Sequence, residues 1–119
     1  MMASPAAPVP PPAAPGSRLL VDAEAACRAA LLASLAALEV GDCNLLRFHY
    51  LHGVALAPLA DMFCTPPSAM ARQLARLRER IVRDTRRGLA ARLALGKPEL
   101  DRLADIVRAR FDHVIARVL

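Results

Sequence analysis

The run from Pro67 to Arg87, PSAMARQLARLRERIVRDTRR, constrains the fold more than any other stretch of the chain. At 100° per residue, Met70, Leu74, Leu77 and Ile81 fall within about 60° of one another. Arg72, Arg76, Arg80, Arg83 and Arg87 gather within about 80° on the opposite side. An apolar period near 3.6 excludes a half-buried strand, whose side chains alternate. The segment therefore predicts one long helix with a core face and a stripe of guanidinium groups. Gly88 weakens that helix without necessarily ending it.

The rest of the chain must supply partners for the apolar face, and its composition points to more helices. Ala, Leu and Arg dominate, with one Tyr, three Phe and no Trp, and straight-chain residues lose little entropy in a helix. Asp22 reads as an N-cap for a helix over about residues 23–38, in which Leu31, Leu32, Leu35 and Leu38 keep helical spacing. Gly41 breaks it. Asp42 caps CNLLRFHYLH, with Leu45, Leu46, His49 and Tyr50 in register, and Gly53 stops this helix at the position after its cap. PLADMF makes a short helix over about residues 58–63, with Pro58 in its first turn, and Cys64-Thr65-Pro66-Pro67 is a turn. Gly96-Lys97-Pro98-Glu99 is a stop and restart before a last amphipathic helix. Leu100, Leu103, Val107, Phe111, Val114 and Val118 share one side of it, with Ala104 and Ile115 at the edge. The expected architecture is all-α with four or five helices: a leader over 1–17, a helix-turn-helix domain over 18–95 and an amphipathic helix over 96–119.

The leader holds six prolines and no charge, so it should be a disordered or polyproline-like tail. No basic start with an apolar run marks a signal peptide, and no stretch is apolar enough to span a membrane. A cytoplasmic protein without membrane contact is expected. Cys27, Cys43 and Cys64 are far apart and odd in number, which suits reduced, buried small apolar residues.

Charge is unevenly spread. Residues 1–71 carry three basic against five acidic side chains, a net of −2, whereas residues 72–119 carry thirteen against six, a net of +7. Such asymmetry suits a polyanionic partner, nucleic acid before membrane; an arginine-rich solvated face is the plain alternative. A helix ending in Gly, a short helix, a tight turn and a long basic helix make a helix-turn-helix. That motif puts the start of its second helix in the major groove. Thr65, Ser68, Ala69, Arg72, Gln73 and Arg76 are then the groove-facing candidates, and Arg80, Arg83 and Arg87 the backbone contacts.

The run DCNLLRFHYLHGVALAPLADMFCTPPSAMARQLARLRERI resembles region four, the C-terminal promoter-reading part, of sigma-70 family RNA polymerase sigma factors. The likeness is to the extracytoplasmic-function group and relatives in myxobacteria. It is carried by the NLLRFHYLHG helix and its stop, the short PLADMF helix, and Arg72, Leu74, Ala75 and Arg76. The tail LGKPELDRLADIVRARFDHVIARVL resembles an extension of some of those relatives, so the likeness covers about residues 22–119. It implies transcriptional regulation: contact of the second helix with a −35-like element of double-stranded promoter DNA, and docking on the β flap of the RNA polymerase core. Ala57 stands where the family usually has a polar cap, Cys64 where it has Gly, and Pro66 and Pro67 where it has polar or basic residues. Nothing in the sequence resembles the region that melts the −10 element. The alternative is a protein-interaction adaptor or decoy that binds polymerase or an anti-sigma factor, or self-associates, without reading DNA.

Other constellations are weaker. His49 and His52 lie three apart, but no further residue has zinc-ligand spacing with Cys43 or Cys64, and His49 suits a half-buried helix position. No metal or other cofactor is expected. Nucleophile–base pairs, phosphate loops and paired carboxylates are missing, so the sequence points to binding rather than catalysis. The Leu100–Val118 stripe has two readings: it folds back on the core, or it pairs with a second chain or another protein.

Overall fold

A computed structural model of the protein describes the backbone of residues 15–119 and the side chains of residues 22–119. Six α-helices follow one another with no strand among the described residues: α1 Pro15–Ala36, α2 Val40–Leu46, α3 Leu56–Met62, α4 Pro67–Arg92, α5 Lys97–Ala109 and α6 Phe111–Ala116. A π-helical turn, Arg47–Leu51, continues α2. The fold is all-α, as the spacing of apolar residues requires. No described helix is long and apolar enough to cross a membrane.

The centre of the molecule is α4, and its length has local causes. Pro66 is the N-cap with ψ 144°, and Pro67 opens the helix, where a missing N–H costs nothing. The α3–α4 turn is closed by two hydrogen bonds, from Cys64 N–H to the Asp61 carbonyl at 3.1 Å and from Thr65 N–H to the Ala60 carbonyl at 2.9 Å. This Schellman arrangement demands a left-handed residue after the cap, and Cys64 supplies it at φ +52°. Gly53 does the same after the π-helical turn, at φ +70°. There the His49 ring nitrogen Nδ1 bonds the Val54 carbonyl at 2.9 Å and ties the turn to the loop that follows.

Met70, Leu74, Leu77 and Ile81 are all buried, as the sequence predicts. Val82, Thr85 and Leu89 are buried as well, because helices cover α4 on two sides. On one side α1 contributes Leu31 and Leu35, and on the other α5 and α6 contribute Ala104, Val107, Phe111 and Ile115. Leu45 and Leu46 of α2 and Leu59 and Ala60 of α3 complete this cluster. Ala26, Ala30, Leu89 and Leu100 form a smaller one beyond it. Gly88 has a packing reason: a Cβ there would stand 2.9 Å from the Ala30 Cβ, so α1 and α4 cross at a glycine.

Several sequence expectations are corrected. Asp22 lies inside α1, which starts at Pro15, and so does not cap it; Pro15–Ser17 are helical, and the rest of the leader lies outside the described residues. The chain breaks at residues 37–39, before Gly41, because Glu39 is the extended N-cap of α2 and takes the Cys43 N–H at 3.0 Å. Gly41 and Asp42 therefore sit in the first turn of α2. The C-terminal helix is two helices, interrupted at Arg110, where φ −113° and ψ 26° leave the helical region. The buried row is Leu100, Ala104, Val107, Phe111 and Ile115, so the supposed edge residues Ala104 and Ile115 are central. Cys64 is exposed, and Cys27 and Cys43 are only half-buried.

Candidate nucleic-acid interface

The five stripe arginines ride on a helix whose other face is locked into the core, so their Cα positions are fixed even where the side chains are free. Arg72, Arg76, Arg83 and Arg87 are exposed, and Arg80 is half-buried. Among the described residues Arg72, Arg76 and Arg83 make no ion pair. Arg80 and Arg87 flank one carboxylate, that of Asp84, at 3.7 and 3.5 Å. Exposed pairs at such distances contribute about 0–1 kcal/mol and leave the guanidinium groups easily recruited.

The opening of α4 is less suited to base contact than the sequence implies. Ser68 is exposed, but Ala69, Gln73 and Thr65 are half-buried. The Thr65 hydroxyl donates to the Phe63 carbonyl at 3.1 Å. Gln73 lies with Asp42, Arg76, Leu77 and Arg80 in a cleft of about 270 Å³ between α2 and α4. Pro66 and Pro67 are exposed and offer no donor. The geometry gathers cations along the rod rather than hydrogen-bonding groups at its tip.

The sequence reading missed how the remaining charges of α4 are used. Arg86 donates to Asp101 of α5 at 2.7 Å. Arg108 of α5 reaches both carboxylate oxygens of Glu79 at 3.1–3.2 Å and also Asp105 at 2.8 Å. These two cross-links run in opposite polarity and hold α5 alongside α4. The signal was present as Glu79 and Arg86 lying off the stripe, on the side that α5 covers. Arg78, half-buried, has an Nε with no partner among the described residues.

The residues offered as a protein interface are not free. Leu100, Val107 and Phe111 are buried in the chain's own core, and Leu103, Val114 and Val118 are half-buried beside it. The stripe folds back, because α4 alone leaves Val82 and Leu89 uncovered. Tyr50 packs edge-on against Phe111, ring centroids 5.3 Å apart. Its hydroxyl is pushed above its ordinary pKa, first by burial and then by Asp112, with Arg78 opposing.

Comparison of the chain with protein-family models, curated proteins and solved structures gives no match.

Proposed function

We propose that the chain regulates transcription as a sigma-region-four-like helix-turn-helix module, laying α4 on double-stranded DNA at a −35-like element and docking on RNA polymerase. The observation that carries this reading is the free set Arg72, Arg76 and Arg83, exposed and unpaired among the described residues on a core-anchored helix. Guanidinium groups in a row neutralise phosphates and release counterions, which gives salt-dependent affinity. The order α2, α3, turn, α4 supports the same reading, since α4 is the element that such a motif presents to the groove.

Fluorescence anisotropy of a labelled duplex, titrated between 50 and 200 mM salt, tests it. Five phosphate contacts give a slope of log affinity on log salt of about −4.5. Arg72→Ala with Arg76→Ala should lower affinity and flatten the slope by about 2. No binding at 50 mM salt would rule the DNA reading out.

A second reading, an adaptor that holds polymerase or an anti-sigma factor without reading sequence, is favoured by the helix opening. Pro66, Pro67 and the inward-bonded Thr65 stand where base-reading groups belong. Polymerase subunits recovered with the protein from native cells, without duplex affinity, would select it.

A further inference from the structure

A second surface, remote from the α4 arginines, is built for a different partner. Cys27, Arg28 and Leu31 of α1 face Val114, Arg117 and Val118 at the C-terminus across a hollow of about 520 Å³. Val118 also lines an adjoining hollow of about 340 Å³, walled by Leu32, Leu35, Leu38 and Val40 with Arg47 at its border. Together they make a trough with an apolar floor along one side of α1. From Glu24 to Ala36 that wall is about 18 Å long, enough for about three turns of a docked helix. Leu32 and Val40 stand at its edge 43 % and 76 % exposed and extend the apolar lining of the trough to its rim.

The rim charges are one-sided. Among the described side chains Arg28, Arg47 and Arg117 border the trough against one acidic side chain, Glu24, with Leu119 at the far end, and none of the three arginines makes an ion pair. We propose that the α1–C-terminal trough docks an acidic amphipathic helix of another protein, its apolar face on Leu32, Val40 and Val118 and its carboxylates on Arg28, Arg47 and Arg117. A helical wall from α1 facing Val114 of α6 and the residues after it makes an apolar groove of the kind that receives the i, i+3 and i+4 anchors of an amphipathic helix. Charge disfavours the competing occupants. A second copy set symmetrically on this face would bring three arginines and only one Glu24 from each side together, a like-charge excess on both. Residues 1–14 carry no charged side chain and would leave all three arginines unpaired. The proposal does not depend on α4 meeting DNA.

The test uses the full chain and a labelled peptide of about 16 residues, with Leu at i, i+3, i+4, i+7 and i+11 and Glu on the flanks, beside a Lys-flanked twin. The Glu peptide should bind and the Lys peptide should not. Arg28→Glu with Arg117→Glu should weaken the Glu peptide by at least about tenfold and admit the Lys peptide, since like charges across a contact repel. Leu32→Glu, at an exposed position that the fold tolerates, should also lose binding. Arg72→Ala with Arg76→Ala should change nothing. The proposal is overturned by absence of binding, by equal affinity for both peptides, or by loss through the α4 pair instead. It is equally overturned if the peptide binds only after residues 1–14 are removed, or if sedimentation shows a dimer that excludes the peptide.

Discussion

Cys64 holds a left-handed conformation at φ +52°, which costs an L-residue about 1–2 kcal/mol. Part of that cost is recovered on substitution by glycine, whose unfolded chain has more freedom to lose. Cys64→Gly should therefore stabilise the fold by about 0.5–1 kcal/mol in urea unfolding, and no change or a loss would show that the turn relaxes at no cost. Gly88 has the opposite sign. Ala is the better helix former by up to about 1 kcal/mol, yet its Cβ would meet the buried Ala30 Cβ at 2.9 Å. Overpacking of this kind costs about 1–3 kcal/mol, so Gly88→Ala should destabilise. Tyr50 carries a pH signature. Its folded pKa is raised above the unfolded value, chiefly by burial, so its contribution is complete below the ordinary tyrosine range. That contribution is lost as pH rises through the folded value. The urea midpoint of the wild type should fall above about pH 10, and Tyr50→Phe should make that fall shallower, the Cys27 thiol, also raised by burial, contributing in the same direction.

At the scale of elements, magnitudes separate what holds α5 and α6 in place from what orients them. The Arg86–Asp101 and Arg108–Glu79 pairs have side chains 32–50 % exposed, so each contributes about 0.2–1 kcal/mol and is weakened by salt. Phe111 is 2 % exposed, and its removal from a packed core costs about 3–5 kcal/mol. Arg86→Ala or Arg108→Ala should scarcely move the unfolding midpoint, whereas Phe111→Ala should come close to unfolding a domain this small. The same contrast explains what was legible in the sequence. The core face of α4, the Gly53 stop and the Cys64–Pro67 turn were readable, because periodicity, glycine and proline act locally. The start of α1, the break at Arg110 and the π-helical turn were not, because no breaker marks them and packing decides each one. Of the candidate site, the arginine row was legible from spacing alone. The engagement of Thr65 with its own backbone and of Gln73 with a cleft was not, since both depend on how α2, α3 and α4 meet.

Over the whole molecule, α4 is shared by every layer, and α5 with α6 completes a core that the preceding helices leave open. A chain ending at Leu95 would expose Val82 and Leu89, which α5 and α6 now help to bury. Such a chain should bind a hydrophobic dye and lose cooperative unfolding, while unchanged cooperativity would mean that α1–α4 is self-sufficient. The stripe has a further consequence through its length. Fifteen residues separate Arg72 from Arg87, a rise of about 22 Å, while the major groove of a duplex is about 12 Å wide. Laid across the groove, the helix cannot keep both ends of the row inside it. A duplex seated at the Arg72 end would have its far strand spanned like a plank across a ditch, with Arg87 resting on the opposite bank and setting the angle of approach.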